Sequence, residues 1–223
     1  MSLYYADEHV TLYHGNCLTE HREWLTADVL VTDPPYGRNW RQGELHDDKH
    51  TGIAGDKDTT VRDVALGNWG GVRPVVAFGD LMLAPPVGTK QVLVYVKPVD
   101  AGVRGAMAGF RRDTEAVYLI NRWPTGIGGD SSVLRTGARM VGGPVGLATR
   151  ARHPHAKPLD VMQRLIGLTS GVIADPFAGS GSTLSAATLS GRKAIGVELE
   201  EPYCEIIAKR LTQGALDFTG GVA

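Results

Sequence analysis

Cysteine is scarce in this chain, whose 223 residues include only Cys17 and Cys204. The two lie far apart, and neither they nor the histidines show metal-ligand spacing, so we expect a reduced, intracellular protein without a metal or a disulfide scaffold. No apolar run approaches the roughly 18 residues of a membrane span. The N-terminus, MSLYYADEHV, is acidic and lacks the basic region of a secretory signal. These absences predict a cytoplasmic protein with no membrane partner.

Net charge is also scarce, because 23 Lys and Arg nearly balance 24 Asp and Glu, which gives no general sign of nucleic-acid binding. The charge is unevenly distributed, however. Between residues 121 and 157 six cations accompany one acid, Asp130, so the stretch carries 6 − 1 = +5. It also contains the glycine-rich runs GIGGD and GGPVG. Two interpretations fit it: a mobile loop that follows a phosphate backbone, or a loosely packed surface loop.

Apolar runs of strand length alternate with helix-like patterns along the chain. The clearest helical patterns cover 159–169 and 202–211, and Pro202 suits the first turn of the second. Strands that alternate with helices predict an α/β fold with a mostly parallel sheet, here a single domain over 1–223. The polar segment 37–60 is expected to form a flexible flap. The predicted strands are 10–12, 29–32, 75–78, 92–96, 116–120, 172–174 and 194–197.

The stretch LVTDPPYG ends the second of these strands with Asp33, Pro34, Pro35 and Tyr36. Two prolines stop a sheet ladder and fix the backbone in an extended turn. Ligands of parallel sheets bind beyond the carboxyl ends of the strands, where this turn lies. The pattern indicates a rigid mount for a carboxylate and an aromatic ring. The plainer interpretation is a strand-ending turn with an exposed tyrosine.

A second stretch, VIADPFAGSGSTL at 172–184, leads from a strand through a glycine-rich turn into a helix. Glycines let the backbone approach a ligand closely, and a helix N-terminus suits a negative group. No Gly-Lys-Ser/Thr follows, and Leu184 replaces the third glycine of a dinucleotide fingerprint. Glu198 ends the next strand, where an acid can bind both hydroxyls of a ribose. The pair predicts an adenosine-bearing cofactor that needs no pyrophosphate, such as S-adenosylmethionine.

Three stretches together, DPPY at 33–36, FAGSGST at 177–183 and HPHAKPLDVMQRLI at 153–166, resemble the DNA amino-methyltransferases. The resemblance implies a Rossmann-like class I methyltransferase fold, with a seven-stranded mostly parallel sheet and helices on both faces. It also implies transfer of a methyl group from S-adenosylmethionine to an exocyclic amino group in double-stranded DNA. The order of the motifs, DPPY first, resembles the circularly permuted group called beta. A bacterial or phage source follows as an expectation.

The resemblance assigns catalysis to Asp33, Pro34, Pro35 and Tyr36. The target base must leave the duplex, because its amino group is otherwise paired and stacked. Tyr36 is expected to stack on the flipped base. Asp33 and the Pro34 carbonyl are expected to accept hydrogen bonds from the amino group, which frees the nitrogen lone pair for in-line attack without a covalent intermediate.

The cofactor is assigned to the second motif and the residues around it. Asp175 and the backbone from Gly179 to Gly181 are expected to face the methionine part, and Glu198 the ribose. The resemblance also assigns three further residues to the cofactor, Phe177, Thr183 and Lys157. Each has a plainer alternative: Phe177 as a core phenylalanine, Thr183 as a helix cap and Lys157 as a solvated lysine.

DNA contacts are expected from basic residues on the flap and in a basic target-recognition stretch, 121–152. The family often has an acid where this chain has Asn16, so Asn16 is a candidate for base binding, with a turn-forming asparagine as the alternative. The candidate DNA-binding arginines are Arg38, Arg41, Arg135, Arg139, Arg150 and Arg152.

The choice of target base favours adenine N6, since Asp rather than Ser precedes Pro-Pro, although DPPY also occurs with N4-cytosine. Methylation at carbon 5 is disfavoured because neither cysteine follows a proline. RNA or protein amide methylation would usually show Asn before Pro-Pro. A protein of a different class, which keeps the fold but binds only DNA or cofactor, is the remaining alternative. A homodimer and a cognate restriction enzyme are further expectations from the resemblance.

Overall fold

The computed structural model describes residues 2–39, 53–99, 101, 107–123, 129–137 and 156–219, with side chains through residue 213. Within these residues nine strands form one sheet in the order β1-β2-β9-β8-β3-β4-β6-β5-β7. The strands are β1 (Leu3–Ala6), β2 (Val10–His14), β3 (Val29–Thr32), β4 (Val75–Gly79), β5 (Thr89–Val96), β6 (Thr114–Ile120), β7 (Val133–Arg135), β8 (Ile173–Asp175) and β9 (Ala194–Glu198).

The expectation of seven strands is wrong by two. All seven predicted strands are present, and β1 and β7 extend the sheet at its two edges, β1 antiparallel to β2 and β7 parallel to β5. β1 has exposed ends and β7 has only three residues. β1, LYYA, is an apolar run of only four residues, and β7 has two apolar residues, so both are too short to give a clear periodic signal in the sequence. β7 also places regular structure inside the stretch that was expected to be a mobile loop.

Helices cover both faces of the sheet, as expected. They are α1 (Thr60–Trp69), α2 (Leu159–Gly167), α3 (Ser182–Leu189) and α4 (Glu201–Thr219), with a short 3-10 helix at Glu23–Thr26. One core lies between the sheet and α2, α3 and α4, and includes Val31. The other lies against α1 and the 3-10 helix, and includes Leu30 and Trp69. Consecutive residues of β3 thus face opposite cores, as the pleat of a strand requires.

Five neighbouring strands, β2, β9, β8, β3 and β4, run parallel, so their carboxyl ends meet along one edge of the sheet, here called the carboxyl edge. β6 is antiparallel to both β4 and β5. Its first residues therefore lie at the carboxyl edge too, with Glu115 opposite Tyr95. An antiparallel strand brings residues to this edge before its apolar run rather than after it.

The strand order places β3 and β8 side by side, with Leu30 opposite Ala174. The turns that follow these two strands, DPPY and the glycine-rich turn, are thus neighbours at the carboxyl edge although they are far apart in the chain. This arrangement agrees with the predicted circularly permuted order. No helix within the described ranges is long and apolar enough to cross a membrane.

Candidate active site

The DPPY turn begins where β3 ends. Pro34 and Pro35 are buried, whereas Asp33 and Tyr36 are half-buried. Two prolines donate no backbone hydrogen bond and have fixed φ angles, so the turn holds its shape without a ladder. The carboxylate and the ring of the motif therefore sit on a rigid support, as the sequence predicted.

The Asp33 carboxylate has a partner on each oxygen. The Lys157 ammonium lies 2.8 Å from Oδ2, and the Tyr36 hydroxyl donates to Oδ1 over 2.7 Å. The resemblance assigns Lys157 to the cofactor, but the structure places its ammonium against carboxylates of the protein. The second of these is Glu115, whose Oε2 is 3.0 Å from Lys157 Nζ. The solvated-lysine alternative is wrong, because Lys157 is buried.

Lys157 and Glu115 are both buried, with 7% and 8% of their surface exposed. Burial disfavours the charge of Glu115, but Lys157 and Lys97 outweigh it and lower the pKa of Glu115 to about 2. Burial likewise opposes the charge of Lys157, but Asp33 and Glu115 raise its pKa above the ordinary value. Burial and the two carboxylates raise the pKa of Tyr36. Glu115 is therefore anionic, Lys157 is cationic, and Tyr36 is neutral, so that its hydroxyl can donate a hydrogen bond.

The glycine-rich turn follows β8 and leads into α3. Gly179 and Gly181 have φ of 51° and 76°, a region that favours glycine over residues with a Cβ. A Cβ on Gly181 would also lie 2.8 Å from Cγ1 of Ile207. The helix thus packs closely against α4, and only glycine fits that approach.

Glu198, the last residue of β9, reaches over this turn. Its Oε2 accepts a hydrogen bond from the Gly179 N–H over 2.7 Å, and its Oε1 accepts one from the Glu200 N–H over 2.9 Å. Asp175 lies at the start of the turn, where Oδ1 accepts hydrogen bonds from the Thr32 hydroxyl (2.7 Å) and the Phe177 N–H (3.2 Å). Both predicted acids therefore meet at the glycine-rich turn.

Asp175 and Glu198 are buried carboxylates without an ion-pair partner among the described side chains. Burial is the main cause that raises the pKa of Asp175 to about 6 and that of Glu198 to about 7. A bound molecule that donates hydrogen bonds and carries positive charge would stabilise both anions. The electrostatics of the turn therefore suit a cationic ligand that bears hydroxyl groups.

Phe177 and Thr183 flank the turn. Phe177 is half-buried and packs against the core that contains Trp24. Thr183 is buried and hydrogen-bonds to Asp175, which lowers the pKa of that acid. Gly181 occupies the N-cap position of α3, and no side chain caps it. Thr183 thus supports Asp175, and the helix-cap interpretation is wrong.

Asn16 follows β2 at the carboxyl edge, on the far side of β9 from the DPPY turn. Its Oδ1 accepts a hydrogen bond from the Leu18 N–H over 2.8 Å, and its own N–H donates to Glu20 over 2.9 Å. These contacts form an asparagine turn. They agree with the turn-forming alternative, and base binding by Asn16 stays a prediction.

Two of the six candidate arginines fall within the described residues. Arg38 pairs with Asp80, with Nε 2.6 Å from Oδ2. Arg135 is exposed at the end of β7. Arg41, Arg139, Arg150 and Arg152 lie outside the described residues, as does most of the predicted flap and of the basic stretch.

Sequence reasoning missed Thr32, Glu115 and Lys97, whose Nζ is 2.8 Å from Glu115 Oε1. An acid beside the apolar run 116–120 was a visible signal for Glu115. Its position could not be read from the sequence, because apolar runs do not reveal that β6 is antiparallel. No group of three or more metal-ligating side chains occurs in the described ranges.

The sheet order, the glycine-rich turn and the acid after the next strand define a class I methyltransferase fold. The crystal structure of the M1.HpyAVI–SAM complex has this fold: its TM-score is 0.60, its identity 19%, and the match covers 90% of this chain and 99% of that one. The Rossmann-like fold is thus confirmed.

Sequence comparisons match a family model and individual proteins over different shares of the chain. Residues 112–209, which include Glu115 and Lys157, match the family model described as DNA methylase. The putative methylase YubD of Escherichia coli K12 is 29% identical over 203 residues, or 83% of this chain and 82% of that protein. The type II methyltransferase M2.LlaDCHI of Lactococcus lactis is 42% identical over 67 residues, so this chain spans 25% of that relative's length. The resemblance to the DNA amino-methyltransferases is confirmed by these matches.

Proposed function

We propose that this protein transfers a methyl group from S-adenosylmethionine to the exocyclic amino group of a base flipped out of double-stranded DNA, with adenine N6 as the target. One observation carries the proposal: the rigid mount of Asp33 and Tyr36 lies directly beside the glycine-rich turn, on the neighbouring strands β3 and β8. An acceptor for an amino group and a site for an adenosine cofactor therefore share one crevice.

The residues at the glycine-rich turn suit S-adenosylmethionine. Its ribose hydroxyls can donate to Glu198, and its positive charges compensate Asp175 and Glu198, whose pKa values are raised by burial. The backbone at Gly179 and Gly181 lets the cofactor approach without a Cβ in the way. When bound, the cofactor supplies an electrophilic methyl group.

The residues at the DPPY turn act on the base. Tyr36 presents its ring for stacking, while Asp33 and the Pro34 carbonyl accept hydrogen bonds from the amino group. These hydrogen bonds shift electron density onto the nitrogen, and the carboxylate stabilises the positive charge that the nitrogen gains as it bonds the methyl carbon. The carbon–sulfur bond of the donor would break in the same step, with the neutral thioether as the leaving group, and the surplus amino proton would then pass to water. Each carboxylate oxygen can accept a second hydrogen bond, so the bonds to Lys157 and Tyr36 leave room for the amino hydrogens.

The decisive experiment measures transfer of labelled methyl from S-adenosylmethionine to duplex DNA of varied sequence, for the wild type and Asp33→Ala. The methylated nucleosides are identified by mass, and cofactor binding is measured by calorimetry for both proteins. We expect N6-methyladenine with the wild type, none with the variant, and equal cofactor binding.

Other outcomes are equally informative. N4-methylcytosine would keep the mechanism and replace the target base. Tight cofactor binding without transfer to any DNA would contradict the proposal and favour a protein that binds DNA or cofactor only. The predicted homodimer is addressed separately, by sedimentation of the protein with and without DNA, and the restriction partner stays a prediction.

A further inference from the structure

The Lys157 ammonium lies within hydrogen-bonding distance of three acceptors, two on the DPPY turn and one on β6. The acceptors are Asp33 Oδ2 at 2.8 Å, Glu115 Oε2 at 3.0 Å and the Tyr36 hydroxyl at 3.1 Å. The ammonium also lies over the Phe78 ring, 4.9 Å from its centroid. A buried lysine with three converging acceptors is held in one position, because moving it would leave a charge unpaired.

This position fixes two catalytic groups at once. Lys157 binds one oxygen of Asp33, and it binds the hydroxyl of Tyr36, which donates to the other oxygen. The carboxylate plane and the hydroxyl end of the ring are therefore set by the same ammonium. The prolines fix the backbone of the motif, whereas Lys157 fixes its side chains.

Glu115 also holds the ammonium, and its Oε2 accepts a longer hydrogen bond from the Tyr36 hydroxyl at 3.3 Å. It sits between two lysines, with Oε1 2.8 Å from Lys97 and Oε2 3.0 Å from Lys157. Asp33, Glu115, Lys97 and Lys157 contribute two negative and two positive charges, so the cluster is neutral. Because Lys157 also pairs with Glu115, the charge of Lys157 does not fully neutralise Asp33.

We propose that Lys157 and Glu115 are positioning residues: Lys157 orients Asp33 and Tyr36, and Glu115 holds Lys157 and balances its charge so that Asp33 remains a strong acceptor. The importance of this arrangement for methyl transfer rests on the proposed function. Without Glu115 the cluster would carry a net positive charge beside a nitrogen that becomes positive during the reaction, which raises the barrier.

The arrangement itself can be tested without DNA. In protein labelled with ¹⁵N-lysine and ¹³C-carboxylates, the Lys157 ammonium signal is assigned from its loss in Lys157→Met. We expect slow hydrogen exchange and correlations across the hydrogen bonds to the carboxylate carbons of both Asp33 and Glu115. Rapid exchange without such correlations would overturn the inference.

The kinetic test uses single-turnover rates at saturating cofactor and DNA. We expect Glu115→Gln to slow transfer roughly 10-fold and Lys157→Met on the order of 100-fold, with cofactor and DNA affinities unchanged. Lys157→Arg should recover part of the rate because it restores a cation. The double variant should be little slower than Lys157→Met alone, since Glu115 acts mainly through Lys157 and its direct contact with the Tyr36 hydroxyl is longer, at 3.3 Å.

Asp113→Asn is the matched control, because it makes the same change two residues before Glu115, in an acid that pairs with Arg111. An equal loss of rate in this variant, or additive losses in the double variant, would overturn the role of Glu115. If the wild type methylates no DNA, the proposed function fails, and the ammonium spectrum still decides whether Lys157 and Glu115 are arranged as inferred.

Discussion

The Thr32 hydroxyl donates a 2.7 Å hydrogen bond to Asp175 Oδ1, across 143 residues of chain. Thr32 is the last residue of β3 and Asp175 the last of β8, and both are almost completely buried. The bond joins the strand that carries the DPPY turn to the strand that carries the glycine-rich turn. It therefore fixes the spacing between the two halves of the candidate active site.

Thr32→Val tests this link, since valine has nearly the same shape but no hydroxyl. Loss of the bond leaves a buried carboxylate with fewer donors, so the free energy of unfolding should fall by about 1–3 kcal/mol. The pKa of Asp175 should rise further above 6, because Thr32 lowers it. Urea denaturation measures the stability, and Thr32→Ser, which keeps the hydroxyl, is the control. Equal loss in both variants would assign the effect to packing.

Cofactor affinity should depend on pH through Glu198. Burial raises the pKa of Glu198 to about 7, so the carboxyl is protonated below that pH and can then no longer accept from both ribose hydroxyls. Affinity should therefore be full above about pH 8 and weaken toward tenfold per pH unit below about pH 7. Calorimetry across this range measures it. Glu198→Gln should bind weakly and shift any remaining dependence to the lower pKa of Asp175, about 6; an unchanged profile would contradict the assignment.

Gly181→Ala should destabilise the glycine-rich turn. The new Cβ would meet Ile207 at 2.8 Å at a φ of 76°, so both strain and a clash oppose it. Gly191→Ala is the matched control, since its φ is 62° and its Cβ would meet nothing within 4 Å. We expect the strained backbone conformation to lower the free energy of unfolding by about 1–2 kcal/mol in both variants. The clash should lower it further in Gly181→Ala only. Thermal unfolding measures the difference, and equal losses would show that the close approach to α4 is unimportant.

Arg38 and Arg135, the two candidate DNA-binding arginines within the described residues, should differ in their contribution to DNA binding. Arg135 is exposed at the end of β7, whereas Arg38 is paired with Asp80 at 2.6 Å. Arg135→Gln should weaken binding and reduce the slope of log affinity against log salt by about 1, as expected for one lost phosphate contact. Arg38→Gln should change the slope less, because Asp80 already neutralises the guanidinium. Fluorescence anisotropy at several salt concentrations measures both slopes.

The sequence was informative where a signal is local. Each of the seven predicted strands is an apolar run, and the two motifs follow strands directly, so β3 with DPPY and β8 with its glycines were recognisable. Features that depend on strand pairing or on side-chain contacts could not be recognised in the sequence. The direction of β6 decides where Glu115 lies. The carboxylates that pair with Lys157 come from the turn after β3 and from β6, which are far from Lys157 in the chain. The short edge strands β1 and β7 were missed because they have no apolar periodicity.

The strand order has a consequence for how the chain acquires its fold. β2 pairs with β1 and β9, and β3 pairs with β4 and β8. Until residues 173–198 are synthesised, the nascent polypeptide can form two separate pieces of sheet that share no hydrogen-bonded strand. The central strands arrive last and must insert between the two pieces, a long-range step that is intrinsically slow and leaves open edges exposed meanwhile. Refolding is thus expected to be limited by the docking of the C-terminal segment, and the candidate active site forms only in that final step.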